Sequence, residues 1–408
     1  MKLLTVDTLE QAREKLWEKI KSLPLKNEPV SLTAACNRII AENIYAPCDI
    51  PGFRRATVDG YALFAADTAG AGEAIPVFLK QKGAVFMGEP ADFSIQAGDC
   101  ALIPTGGMLP AGADAVAMLE FCENTSGNIA VYEAVAPGTG IAEVGEDIRS
   151  GKLLLCKGTR IRPQETGLLA AVGITNIPVF SPPRLTLIST GDELVPAEQD
   201  PAPGKIRDIN THVLKNLALK RGYSVVFVQL IPDNKEQLEA AICEALASSD
   251  VIAISGGSSQ GEKDITATVI NKTAKPGVFT HGLALKPGKP TILGWDEENM
   301  TLLAGLPGHP VSAMIVFELI LGWLYDKLFN LPSLLPVPAR ISTNLPGAPG
   351  RTVCQPVILK QEGSGYNAEP VFGKSGMITT MTKANGYIII DLNKEGLKKD
   401  EPVMVYLL

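Results

Sequence analysis

The chain reads as a multidomain α/β plus β protein, with a central, largely parallel α/β sheet domain set between mostly β segments. Three observations carry this expectation. Between 185 and 330, short β-branched runs alternate with amphipathic segments, as in βαβ units that cover a parallel sheet on both faces. Between 73 and 135, short apolar runs are separated by Gly, Pro and Asp, which suits a small, mostly β domain. After 331, a proline-rich stretch leads into further short strand-like runs, expected to form a small β-barrel or sandwich.

The length of 408 residues exceeds one compact domain. Apolar residues make up 46% and charged residues 20%, the balance of a globular chain rather than a disordered one. A net charge of −7 argues against a nucleic-acid-coating surface, so an anionic ligand must be held by local lysines and backbone. Seven cysteines, an odd number with no CxxC, predict reduced thiols and a cytoplasmic setting. His212, His281 and His309 have no zinc spacing. The start, MKLLTVDTLEQAREK, lacks the apolar run of a signal peptide. The most apolar helix candidate, 311–329, contains Glu318, Asp326 and Lys327, so a buried helix is expected and no membrane partner.

In chain order, 8–22 predicts an amphipathic helix for packing or dimerisation. Asp7 is its expected cap, and Leu9, Leu16, Ile20 and Leu23 lie near one face. Residues 51–62, PGFRRATVDGYA, form a loop with two arginines and Asp59-Gly60 as a turn signal. In the β region the expected strands are 75–79, 84–87, 100–103, 115–119 and 129–135. Thr105-Gly106-Gly107 can offer a hydroxyl and free N–H groups, or be a plain turn. A short helix is expected over 164–172 with Pro163 in its first turn, then a linker over 178–184. The α/β region gives strands 185–189, 224–230, 251–255, 291–293 and 301–304, and helices 210–221, 235–247, 265–272 and 311–329.

The stretch VIAISGGSSQGEKDIT, 251–266, reads as a buried strand breaking into a glycine-rich turn that feeds a helix. Such a turn presents bare N–H groups to an anion, typically a phosphate, although an ordinary βα turn has the same composition. Other loops also follow strands: Thr190-Gly191-Asp192-Glu193, Pro232-Asp233 and Gly305-Leu306-Pro307-Gly308-His309-Pro310. Ligands of open α/β sheets bind outside the carboxyl ends of the strands, so Glu193, Asp233 and Asp264 are expected on one rim. Lys286-Pro287-Gly288-Lys289-Pro290 holds two ammonium groups on a stiff turn. Two unit charges about 4 Å apart interact by ~4 kcal/mol at an effective dielectric of about 20. Three carboxylates beside a phosphate therefore call for a cation, and Mg2+ takes both kinds of oxygen.

Taken together, Val58-Asp59-Gly60-Tyr61-Ala62, Pro104-Thr105-Gly106, Gly145-Glu146-Asp147-Ile148, Ser189-Thr190-Gly191-Asp192-Glu193-Leu194, Ser255-Gly256-Gly257, Gly261-Glu262-Lys263-Asp264, Lys286-Pro287-Gly288-Lys289-Pro290 and Gly305-Leu306-Pro307-Gly308 resemble, in this order, the molybdopterin molybdenumtransferases, MoeA and the gephyrin E-domain. The resemblance spans essentially the whole chain. It implies an enzyme of molybdenum cofactor biosynthesis that inserts molybdate into adenylylated molybdopterin with Mg2+-dependent release of AMP. A tungstate-specific insertase and a gephyrin-like scaffold are the alternatives it leaves. It implies a discontinuous, elongated N-terminal dimerisation domain (1–50 and 141–180), a β domain (51–140), a molybdopterin-binding α/β domain (181–330) and a C-terminal β-barrel (331–408). It further implies a homodimer whose cleft is shared between protomers, with the molybdopterin adenylyltransferase of the pathway as a candidate partner.

Carried over position by position, Asp59, Asp147, Glu193, Asp233, Asp264 and Lys286 are the expected catalytic residues. Glu193, Asp233 and Asp264 would hold or orient Mg2+. Thr105, Thr190, Gly256, Gly257, Ser258, Lys289, Pro307, Pro310 and Ser375 would bind the substrate. Lys286 and Ser375 would help hold the oxyanion, and Asp59 and Thr105 would close the site across the dimer. Three positions depart from the family pattern: Gln260 in the glycine-rich turn, Gly282 where many members carry lysine, and His309 in place of Asn or Tyr.

Overall fold

The structure, a computed structural model, describes residues 6–256, 265–332 and 335–408. It divides into two compact units, one formed by Pro29–Val179 and the other by the chain up to Glu28 together with Phe180–Leu408.

Within Pro29–Val179, a six-stranded sheet runs in the order 115–118, 60–63, 99–103, 77–84, 128–131, 122–125. All its pairings are antiparallel except that between 77–84 and 99–103. Successive side chains leave a strand on opposite faces. Ala62, Ala101 and Val116 accordingly join one buried cluster, and Leu63, Cys100 and Ala115 another. Both faces are covered, which explains short runs that are apolar rather than alternating. The predicted strand 84–87 does not form: Ala84 ends the strand Val77–Ala84, and Phe86 and Met87 beyond it are exposed.

The helix expected near 164–172 is Pro163–Ala171. Its third residue, Glu165, accepts from the Arg162 backbone N–H at 2.8 Å and from the Arg162 guanidinium at 2.6 Å. These bonds, the guanidinium first, hold the Glu165 carboxyl down to about 2. Its folded pKa lies below the unfolded one, so its stabilisation is present above the usual carboxylate range and is lost as pH falls toward 2. Glu165→Gln is expected to lower stability at neutral pH and to flatten the acid limb of the unfolding curve. Urea titrations of both proteins at about pH 7 and about pH 3 test this.

In the second unit, the predicted helix over 8–22 is Leu9–Ile20, with Leu9, Leu16 and Ile20 buried. The cap is Thr8 rather than Asp7: Gln11 N–H donates to Thr8 Oγ1 at 3.2 Å, and Thr8 N–H to Gln11 Oε1 at 2.9 Å. Asp7 instead pairs with Lys15 and accepts from Thr280 Oγ1, each at 2.7 Å. A carboxylate with a cation and a hydroxyl already in reach has no reason to turn back on the helix.

The α/β sheet has the order 224–231, 184–190, 251–255, 301–306, 292–296, 276–281. The first four strands are parallel, and the last two join antiparallel. Helices Lys235–Leu246 and Ile265–Thr273 share a core with Ile188, Ile252, Ile254 and Leu303. Val251 and Ala253, pointing the other way, are also buried. Asn210–Arg221 packs against the helix that begins at Pro310.

That last element runs as Pro310–Val316, a π-helical turn Phe317–Gly322, and Trp323–Leu328. A π turn disturbs the regular backbone bonding. Side chains from elsewhere meet its carbonyls. Arg13 donates to Leu319 O from Nε at 2.9 Å and from Nη2 at 2.7 Å, and its guanidinium lies 5.2 Å from the Trp323 ring centroid. Tyr223 Oη donates to Leu321 O at 2.7 Å. No helix among the described residues is long and apolar enough to cross a membrane.

The C-terminal strands 352–362, 365–370, 337–341, 402–407 and 386–390 close into a ring, because the last pairs back with the first. A further short strand, Leu285–Lys286, lies parallel to this ring, Leu285 opposite Thr352 and Lys286 opposite Val353. The lysine turn read from the sequence is thus tied to the barrel by backbone hydrogen bonds.

Candidate active site

The four parallel strands end in register. Thr190 is opposite Ile231, and Ser255 is opposite both Ser189 and Leu306. The loops after Thr190, Ile231 and Leu306 emerge along one edge, with Gly256 beside them, as expected for an open α/β sheet. A cavity of about 1000 Å³ opens there, walled by that edge, by the 286–290 turn and by the barrel. Thr190, Glu193, Asp233, Gly256, Lys286, Lys289, Pro307, Pro310 and Ser375 all line it. Folding thus brings together residues separated by up to 185 positions, Thr190 to Ser375.

The edge is internally braced. Buried Thr190 donates its hydroxyl to Asp233 Oδ1 at 2.7 Å, and the Asp233 N–H donates to Asp192 Oδ1 at 3.1 Å. Gly256 has φ +114°, and a Cβ there would lie 2.0 Å from the Thr190 carbonyl oxygen. Two strand ends can approach so closely only with no side chain between them. In the lysine turn, Gly288 has φ +126°, and a Cβ would sit 2.7 Å from Val316. Thr291 Oγ1 donates to its carbonyl at 2.7 Å. Among the described residues, neither the Lys286 nor the Lys289 ammonium has a hydrogen bond or ion pair, and both residues are exposed. Their charges are left to whatever enters the cavity.

Gly257, Ser258 and Asp264 lie outside the described residues. Asp59, Thr105 and Asp147 belong to the Pro29–Val179 unit. There, the Thr105 N–H and hydroxyl both donate to Asp59 Oδ1, at 2.6 and 2.9 Å, and in that order they hold the carboxyl below its ordinary range. Asp147 is exposed, and its N–H donates to Ile50 O at 3.0 Å.

Sequence reasoning did not single out three residues of the cavity wall: Asp208, Asn210 and Arg351. Asn210 opens its helix, and its amide donates at 2.7 Å both to Ser255 Oγ and to Gly308 O, pinning a strand end to a loop. Buried Asp208 accepts from the Thr211 N–H at 3.1 Å. Asp208 lies just before the expected helix 210–221 and Asn210 begins it, so neither stands out in the sequence as a site residue. Arg351 follows the turn Gly347-Ala348-Pro349-Gly350, with no local pattern to mark it. Gly282 is buried against Val6, away from the cavity lining. His309 does line the cavity, and its Nδ1 is 2.9 Å from Ser375 Oγ.

The acids thus come from the sheet edge, and the free cations from the lysine turn and the barrel. All seven cysteines are free. Burial pushes the thiol of Cys354, in the cavity wall, up to about 12, which keeps it protonated and unreactive. Among the described residues, no three His, Cys, Asp or Glu side chains gather as a metal cage. Mg2+ needs none: it is commonly held by one or two carboxylates plus substrate phosphates. Glu193 and Asp233 on one cavity wall fit that mode.

The chain matches three family models. They are the MoeA N-terminal region (domain I and II) over 7–173, the "Probable molybdopterin binding domain" over 186–326, and the MoeA C-terminal region (domain IV) over 338–408. It is 32% identical to a molybdopterin molybdenumtransferase of Haemophilus influenzae over 98% of each chain. It is 30% identical to that of Bacillus subtilis over 94% of this chain and 90% of the other. The solved molybdopterin biosynthesis MoeA protein of Pyrococcus horikoshii superposes with a TM-score of 0.84 at 38% identity, covering 99% of both chains.

Proposed function

We propose, for a chain that belongs to the molybdopterin molybdenumtransferase family, the insertion of molybdate into adenylylated molybdopterin with release of AMP. The chain is a transferase of molybdenum cofactor biosynthesis. The observation that supports this reaction best is a single cavity in which strand-end acids face unpaired lysines supplied by a turn clamped to the barrel. Its volume of about 1000 Å³ suits a nucleotide-sized ligand with an oxyanion beside it.

Lys286 and Lys289 take negative charge of the phosphates and the oxyanion. Ser375 supplies a hydroxyl to the same anions. Glu193 and Asp233, with Asp264, would hold Mg2+, which when bound would supply the positive charge that a phosphoanhydride needs for cleavage. Thr190 keeps the Asp233 carboxylate turned to its place. A rigid edge of this kind acts by positioning, which is where most of the rate in phosphoanhydride cleavage originates.

The reading is tested by adding molybdate and Mg2+ to protein loaded with adenylylated molybdopterin and measuring AMP. Release is expected to depend on both additions, and Lys286→Ala should slow it about tenfold. AMP release indifferent to molybdate would remove the reaction. Release with tungstate but not with molybdate would reassign the oxyanion.

Asp59 and Thr105 are read as completing the cavity of a second copy of the chain. Mixing Asp59→Ala with Lys286→Ala protein and allowing subunits to exchange should then restore about a quarter of the wild-type rate, since half the dimers are mixed and each has one intact site. No gain on mixing would place Asp59 in the same site as Lys286, or outside any site.

A further inference from the structure

We propose that His309 couples oxyanion binding to proton uptake, through its own charge and its hydrogen bond with the Ser375 hydroxyl. This rests on the reading above that the cavity takes an oxyanion. Ser375 Oγ and His309 Nδ1 are 2.9 Å apart, and the pair is fixed by its surroundings. His309 immediately precedes the helix that starts at Pro310, and the Val311 N–H donates to the Ser375 carbonyl at 3.1 Å. The barrel segment carrying Ser375 is therefore held against the turn carrying His309 whatever the charge on the ring.

A hydroxyl has one hydrogen to give, and an imidazole nitrogen either gives or accepts. With Nδ1 bare, the ring accepts the Ser375 hydrogen, and the hydroxyl has nothing to offer an anion in the cavity. In the imidazolium both ring nitrogens carry hydrogen. Nδ1–H then donates to Ser375 Oγ, and the hydroxyl hydrogen is released toward the cavity. Protonation also adds one positive charge to the wall. If the neutral ring already carries its hydrogen on Nδ1, the hydroxyl is free at every pH, and the added charge alone acts, with the same sign. Either way, protonation tightens anion binding and anion binding favours protonation, because the two are reciprocal.

The other charged groups on the same cavity set the balance. Glu193, Asp208 and Asp233 bring negative charge to the cavity wall from the sheet edge. Arg207, Lys286, Lys289 and Arg351 bring positive charge to it, which a bound anion would offset. Imidazole is the side chain whose charge ordinarily changes near neutral pH, so a modest change in this balance moves a proton.

Calorimetric titration of the full chain with molybdate, at about pH 6 to 8 and in buffers of different ionisation enthalpy, tests this. Wild-type affinity is expected to fall roughly tenfold across that range, with net uptake of part of a proton per anion. His309→Asn, which keeps a hydrogen-bonding group beside Ser375 but cannot titrate, should give a flat profile and no proton uptake. A flat wild-type profile overturns the proposal without recourse to any variant. So does an unchanged slope in His309→Asn. Failure of molybdate to bind wild type at every pH, or binding that Lys286→Ala leaves untouched, would instead overturn the oxyanion reading itself and take this proposal with it.

Discussion

Gly256→Ala is expected to cut molybdate-dependent AMP release about a hundredfold and to lower the melting temperature by roughly 5–10 °C. The added methyl would stand 2.0 Å from the Thr190 carbonyl oxygen, a contact that backbone must move to relieve. The residue also sits at φ +114°, where an L side chain is strained by about 1–3 kcal/mol before any clash. The strands that must part are the two at the centre of the site. Thr190 carries the hydrogen bond to Asp233, and Ser255, just before Gly256, takes one from Asn210. Misplacement of reacting groups by about 1 Å is enough for a hundredfold loss. Thermal melting and the AMP assay on the same preparation check both halves. A variant that melts lower but retains full rate would show that the strand edge does not govern the chemistry.

Arg13→Met, outside the cavity, should cost about 3 kcal/mol of stability by urea unfolding. Two N–H groups of one guanidinium meet the Leu319 carbonyl, and such charged bonds contribute about 1.5–3 kcal/mol where a buried acceptor would otherwise be left alone. The stack on Trp323 adds roughly 0.5–2 kcal/mol. Burial depresses the Arg13 pKa, which marks the desolvation this arrangement has to overcome. Methionine fills the volume and removes the donors. Arg13→Lys is expected to recover less than half, because an ammonium lacks the planar fork that reaches one oxygen with two hydrogens and lies flat on an indole. Wild-type stability in both variants would mean that the Leu319 carbonyl is satisfied in some other way.

Much of the fold was legible because its signals are local. The strand Val251–Ser255 and the helix Asn210–Arg221 stand where the apolar pattern put them. Elements defined by a distant partner were harder to read. Pro276–His281 begins with Pro-Gly, which carries no strand signal, yet it forms the sheet edge by pairing with Ile292–Asp296. Leu285–Lys286 read as part of a basic turn, since nothing nearby announces the barrel strand it joins. The helix expected over 311–329 was placed correctly, but its π turn leaves no mark in a period count. For the site, strand-end loops point to Glu193 and Asp233, whereas Asn210 is only the first residue of an expected helix and Arg351 carries no pattern. The chemistry of the residues was visible, but which loops they tie together was not.

The backbone pairing of Leu285–Lys286 with Thr352–Val353 has a consequence for modularity. Cutting the chain before Val337 would not yield a smaller version of the same catalyst. It would strip the lysine turn of the rail it hangs on, leaving two charges to wander over a sheet that otherwise has every reason to fold. Grafting a foreign C-terminal module would face the same demand: unless the newcomer presents a strand in that register, Leu285 and Lys286 have nothing to pair with.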